Sequence, residues 1–173
     1  HNTLRPIEHQ FRGCFVYTDP NQPIMAQTKT EIQQILQSLG GEPRKRFGQN
    51  FMIDQNLLGK VRDAGNPRAG DLVIEVGPGT GTLTEELLAS GAEVLAVEID
   101  RDLARMLRER FSDQPNFGLL EGDALAGKHA INEQLATRIL TARSRGTTTK
   151  LIANLPYNIA SPLVIELLMV GVE

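Results

Sequence analysis

Residues 154–157 read Asn-Leu-Pro-Tyr and directly follow the apolar run Leu151-Ile152-Ala153. An amide, a rigid proline and an aromatic at the carboxyl end of a buried strand can together hold a flat base that bears an exocyclic amine. The Asn154 side-chain oxygen and a neighbouring backbone carbonyl both accept hydrogen bonds from an NH2 group. The Tyr157 ring is able to stack on the base. Pro156 stiffens the chain between them. Taken alone, the same four residues also make an Asn-Pro turn at a strand end.

A second motif, Gly77-Pro78-Gly79-Thr80-Gly81, follows the apolar run Leu72–Val76. Its G-x-G-x-G spacing departs from the G-x-G-x-x-G of dinucleotide folds. Glycines let a backbone approach a ligand closely, and the helix that follows favours a ligand carboxylate at its N-terminus. A tight strand-to-helix turn without a ligand uses the same residues. Glu98 lies 21 residues after Gly77 at the end of a second apolar run. An acid there suits two ribose hydroxyls in NAD and S-adenosylmethionine alike. Glu121-Gly122-Asp123-Ala124 follows a third run, and Asp123 is placed either to accept from an adenine amino group or to cap a helix.

Together the motifs predict methyl transfer from S-adenosylmethionine to the amino nitrogen of an adenine. That nitrogen is a poor nucleophile, because its lone pair is delocalised into the ring. Two acceptors on its N–H bonds favour a pyramidal nitrogen aimed at the methyl group, so positioning drives a direct displacement without general base or metal. The base has to be flipped or single-stranded to enter such a pocket.

These positions depend on alternating strands and helices. Leu72–Val76, Val94–Val97, Phe117–Leu120 and Leu151–Ala153 read as buried strands. Between them, Thr82-x-x-Glu85 reads as a capping box with Gly91 as the helix stop, and Asp100 caps a helix carrying Leu103, Met106 and Leu107. The polar stretch 126–149 contains a helical pattern from Ile131 to Leu140 and ends in a flexible loop over 143–149. Pro162 opens a last helix through Leu163, Ile165 and Leu168. Upstream, Thr28–Leu39 reads as a helix, and Asp54 caps another that runs through Leu57, Leu58 and Val61 to about Gly65. The register implies a Rossmann-like fold, a parallel sheet with helices on both faces, whose ligands bind beyond the carboxyl ends of the strands.

The 173 residues suffice for one domain with a real core, and 40% hydrophobic and 23% charged content is ordinary for a globular protein. No apolar run reaches transmembrane length and no signal peptide is visible, so the reading is cytoplasmic. Cys14 is the one cysteine, and the three histidines have no metal-ligand spacing. A net charge of −3 carries no global attraction for nucleic acid. The local run Arg44-Lys45-Arg46 beside Phe47 and Phe51 is the candidate RNA contact, although such runs are usually solvated faces. Residues 1–24 lack periodicity and are expected to be non-native or disordered. Residues 25–69 are expected to form a helical arm, and 70–173 a partial catalytic domain truncated after the fourth strand and its helix.

Arg46-Phe47-Gly48-Gln49-Asn50-Phe51, Glu75-Val76-Gly77-Pro78-Gly79-Thr80-Gly81, Glu98-Ile99-Asp100, Gly122-Asp123-Ala124 and Asn154-Leu155-Pro156-Tyr157-Asn158-Ile159 occur in that order. From about Pro43 to Glu173 the chain resembles the KsgA-type ribosomal RNA adenine dimethyltransferases. The resemblance implies that Asn50 and Met52 (Leu is usual there) bind the cofactor from the arm. It implies that Gly77 and Gly79 approach its methionine part with Glu75 behind, that Glu98 holds the ribose, and that Asp123 holds the adenine amine. It assigns the target amine to Asn154 and the Leu155 carbonyl, and base stacking to Tyr157. It further implies dimethylation of two adjacent adenosines near the 3′ end of small-subunit ribosomal RNA, within an immature subunit, by a monomer. The macrolide-resistance dimethyltransferases of large-subunit RNA share much of this pattern, but Arg46-Phe47-Gly48, Leu155 and Ala160-Ser161-Pro162 favour the small-subunit enzyme. Nucleic-acid-binding transcription-factor relatives and a NAD oxidoreductase are the more distant alternatives.

Overall fold

Every residue of Leu72–Val76 is buried, Glu75 included, which is what a central strand covered on both faces requires. In the computed structural model, which describes Thr30 and residues 55–127, 130–155 and 157–173, this strand (β1) is the axis of a four-stranded sheet. Its neighbours are β2 (Glu93–Glu98) and β6 (Thr149–Leu151), and β3 (Phe117–Glu121) lies outside β2. All pairings are parallel, in the order β3-β2-β1-β6. Thus all four carboxyl ends lie along one edge. The chain moves outward from β1 through β2 to β3, then crosses to the far side of β1. The crevice between β1 and β6 is therefore the point where the strand order reverses, the usual ligand position in such sheets.

The period-2 alternation of β1 divides the core. Leu72, Ile74 and Val76 face one side with Leu95 and Val97 of β2. Leu135 and Ile139 of α4 (Glu133–Ser144) and Leu163 and Leu167 of α5 (Tyr157–Met169) cover them. Val73 and Val94 face the other side, against α1 (Gln55–Gly65), α2 (Thr82–Ala89) and α3 (Arg101–Arg110), through Leu58, Leu83, Leu87 and Leu107. Each such fully buried leucine contributes roughly 1.5–3 kcal/mol relative to exposure.

Helices on both faces of a parallel sheet agree with the sequence reading, and Asp100 caps α3 as expected, accepting from the Asp102 and Leu103 amides. Four local expectations need correction. The N-cap of α2 is Gly81, not Thr82, so Thr82 and Glu85 form no capping box. The fourth strand is Thr149–Leu151 rather than Leu151–Ala153, because Thr149 and Lys150 pair with Leu72 and Val73. This strand takes in the end of the expected loop 143–149, and Ser144 closes α4. The last helix starts at Tyr157, and Pro162 is inside it. At the sixth helical position Pro162 has no amide to donate to the residue-158 carbonyl, and its ring crowds that carbonyl, the cost of a proline beyond the first turn. Finally, the stretch 126–149 also holds part of a small antiparallel ribbon, β4 (Leu125–Gly127) with β5 (Ala130–Ile131).

The outer edge of β6 is engaged: Glu173 donates to the Thr149 carbonyl and accepts from the Leu151 amide. Apart from Thr30, the upstream helix over 28–39, the cap at Asp54 and the expectation for residues 1–24 lie outside the described residues, as do Asn50, Met52, Arg44, Lys45, Arg46 and Pro156. No helix among the described residues is long and apolar enough to cross a membrane.

Candidate active site

Backbone hydrogen bonds continue the ladder past the strand ends and fix the site. The Gly77 amide donates to the Val97 carbonyl (2.9 Å), the Gly122 amide to the Glu98 carbonyl (2.8 Å), and the Ile152 amide to the Ile74 carbonyl (3.1 Å). Continuing the strand registers, Gly77 lies level with Glu98, Glu98 with Glu121, and Ile152 with Glu75, two residues behind Gly77. Asp123 follows Glu121 by two residues and Asn154 follows Ile152 by two, so Glu98, Asp123, Asn154 and the glycine loop share one edge. Asn154 is half-buried, and Leu155 packs against the core beneath α5. Because β6 ends at Leu151, Asn154 sits three residues beyond the strand rather than directly after it.

The glycine loop is shaped from within. Gly77, Gly79 and Gly81 have φ values of 70°, 61° and 83°, in the left-handed region that side chains disfavour. The Gly81 amide donates to the Pro78 carbonyl (3.0 Å), closing a turn whose first central residue, Gly79, alone has positive φ, the type II′ pattern. The Gly79 amide donates to the Glu98 carboxylate (3.3 Å), as does the Asp100 amide (2.9 Å). Glu98 is thus both a strand-end acid and the tie between β2 and the loop. Burial pushes its pKa up, and these backbone donors partly offset the shift. A carboxylate has about four acceptor positions, and with the Ile99 amide also engaging Glu98 one remains for a ligand's hydroxyl.

Glu75 lies behind the loop, on β1. It is fully buried, and its pKa rises to about 8, chiefly through desolvation, with a smaller contribution from Glu98 and opposition from the Thr84 hydroxyl. That hydroxyl donates to Glu75 at 2.6 Å. At neutral pH Glu75 is therefore held mainly in its protonated form. On the other flank, Asp123 is exposed and its carboxylate accepts from the Leu125 amide (2.9 Å), so it forms an Asx turn rather than a helix cap. Asn132 braces this turn: its side chain caps α4 and donates to the Asp123 carbonyl (3.2 Å).

Sequence reasoning missed Thr84, Asn132 and, above all, Arg110. Arg110 donates to the Thr80 carbonyl in the glycine loop and pairs with the buried Glu85 carboxylate. A basic residue in the last turn of an amphipathic helix reads as a solvated dipole partner, and nothing local shows that it reaches 25 residues back.

A glycine-rich loop, an acid with a spare acceptor position after β2 and a second acid after β3 fit a ligand with a ribose diol and an aminopurine. This is the architecture of an S-adenosylmethionine-dependent methyltransferase domain. Residues 40–172 match the model of the ribosomal RNA adenine dimethylase family. The ribosomal RNA small subunit methyltransferase A of Hahella chejuensis is 46% identical over 132 residues (76% of this chain, 45% of that protein). The protein of that name from Synechococcus sp. is 47% identical over 133 residues (76% and 44%). Among solved structures, the 23S rRNA methyltransferase ErmE superposes with a TM-score of 0.55 at 28% identity, covering 70% of this chain and 44% of that one. A Pyrococcus horikoshii protein described as a putative RNA methyltransferase shares the fold, with a TM-score of 0.50 at 22% identity over 80% of this chain and 67% of that one. The chain belongs to the ribosomal RNA adenine dimethylase family. It spans about 45% of the length of the curated relatives it matches.

Proposed function

We propose that this chain is the cofactor-binding and catalytic part of an enzyme that dimethylates the N6 amines of two adjacent adenosines near the 3′ end of small-subunit ribosomal RNA. The observation that carries this reading is the alignment of Gly77, Glu98, Asp123 and Asn154 along one sheet edge at the strand-order reversal. The relatives named for the small subunit, at 46–47% identity, support that subunit over the large one. When bound, S-adenosylmethionine supplies an electrophilic methyl group. Glu98 accepts from the ribose hydroxyls, and Asp123 from the cofactor's adenine amine. Gly77 and Gly79 leave room for its methionine part, with Glu75 as a neutral support. Asn50 and Met52 complete the pocket from the arm. Asn154 and the Leu155 carbonyl accept from the target amine and keep its lone pair free to attack. Pro156 fixes their spacing, and Tyr157, whose backbone opens α5, stacks on the target base. Arg44, Lys45 and Arg46 contact RNA phosphates. The enzyme acts in the cytoplasm as a monomer on the immature small subunit, and residues 1–24 have no part in the reaction.

The large-subunit reading rests on the structural likeness to ErmE. Methylation of purified immature small subunits and of large-subunit RNA by the full-length protein, read by mass spectrometry of the nucleosides, separates the two. Dimethyladenosine in the small-subunit RNA is the expected result. Its appearance only in large-subunit RNA would reject the proposal.

A further inference from the structure

The glycine loop needs a support outside itself, because three of its five residues have no side chain to anchor it. The last turn of α3 supplies one. Gly81 lies directly on it: a Cβ there would come within 2.7 Å of the Phe111 ring and 2.9 Å of a Leu107 methyl. Phe111 is 1% exposed and Leu107 fully buried, so neither is able to retreat. From the same turn Arg110 reaches around this contact. One guanidinium nitrogen donates to the Thr80 carbonyl and another to Glu85 on the next turn of α2, which is 4% exposed. The guanidinium lies 5.1 Å from the Phe111 ring centroid, within cation–π range.

The peptide geometry gives this grip a consequence. The carbonyl of Thr80 and the amide of Gly81 belong to one planar unit and point in opposite directions. Holding the carbonyl on Arg110 holds the amide on Pro78, and so fixes the turn that presents Gly79 to Glu98. The planar fork of arginine spans two acceptors on different elements, which an ammonium does not reproduce.

We propose that Arg110 is the positioning residue of the cofactor loop, clamping Thr80 and Glu85 so that the Gly77–Gly81 turn is preformed before ligand arrives. This rests on the cofactor reading above. It predicts that Arg110 acts on cofactor affinity and not on the chemical step.

The test uses the full-length protein with Arg110→Gln, Arg110→Lys and, as control, Arg105→Ala, an exposed arginine on the same helix that pairs with Asp102. Hydrogen exchange of the Gly79 and Gly81 amides in the ligand-free protein, referenced to the β2 amides, reads the clamp directly. S-adenosylmethionine affinity by calorimetry, and kcat at saturating cofactor, read its use. Arg110→Gln should speed loop exchange and weaken cofactor binding by about ten-fold each, the scale of one lost charged hydrogen bond. kcat should stay within about two-fold. Arg110→Lys should fall between Arg110→Gln and wild type, and decides the matter alone if the Gln variant does not fold. Arg105→Ala should match wild type. Unchanged loop exchange, equal acceleration in loop and sheet, or unchanged affinity in a folded variant would each overturn the clamp. If wild type binds no S-adenosylmethionine, the cofactor reading fails, and the exchange data still decide whether Arg110 shapes the loop.

Discussion

The two ends of the site are built differently. At the β1–β2 end, the loop Gly77–Gly81 is tied to Glu98, to Pro78 and to Arg110, and lies on the buried side chains of α3. At the β6 end the strand is three residues long, and the Ile152 amide donates to the Ile74 carbonyl two residues before Asn154 is reached. The first end is preorganised by contacts from several elements. The second is an extension from a short strand, with α5 starting immediately after it. Preorganisation suits a small ligand bound the same way on every turnover.

Variants at the two ends should therefore fail differently, the largest loss falling at the β6 end. Asn154→Ala should lower methyl transfer by on the order of a hundred-fold, comparable to the loss of one preorganised polar contact to the reacting group. Cofactor affinity should be nearly unchanged, and single-turnover kinetics with calorimetry on the full-length enzyme check both. A wild-type transfer rate in this variant would remove Asn154 from the chemistry.

Gly81→Ala strikes the preorganised end. The new methyl group meets Phe111 and Leu107, and the backbone stays at φ 83°. Overpacking together with a left-handed alanine should cost about 2–4 kcal/mol of stability, measured by urea unfolding. A variant as stable as wild type would show that α3 is able to yield.

Next comes Glu98→Ala, which leaves ribose hydroxyls and the Gly79 and Asp100 amides without their acceptor. Cofactor binding should weaken by about ten- to a hundred-fold, from roughly 1.5–3 kcal/mol for a charged hydrogen bond. Unaltered affinity in a calorimetric titration would place the ribose elsewhere.

The last prediction concerns pH. Glu75 titrates near 8 in the fold against 4.5 for an unperturbed group. Between those values the unfolded chain has lost a proton that the folded chain keeps. The contribution of Glu75 to stability is thus complete below about pH 4.5 and is lost as the pH climbs toward 8; Glu98, also shifted upward, adds in the same sense. Glu75→Gln keeps an acceptor for Thr84 without needing the proton. Its unfolding free energy should fall less steeply over that window and exceed that of wild type near pH 8. Parallel pH profiles would mean that Glu75 is ionised in the fold.

The sequence by itself determined the order of strands and helices, the two apolar faces of the sheet, the Asp100 cap and the placement of Gly77, Glu98 and Asp123 after consecutive strands. Each of these is written within a few neighbouring residues, as a period or a capping pair, and needs no knowledge of the rest of the chain. Tertiary structure alone decided where β6 stops, because Thr149 and Lys150 become strand only by pairing with Leu72 and Val73. It also took Glu85 out of a capping box and gave it to Arg110, raised the pKa of Glu75 by burying it, with Glu98 adding to the shift, and set Asn132 against the Asp123 turn. Glu85 to Arg110 spans 25 residues and Leu72 to Thr149 spans 77. A carboxylate's partner and its dielectric are set by whatever the fold brings beside it, and across such separations no local pattern names that neighbour.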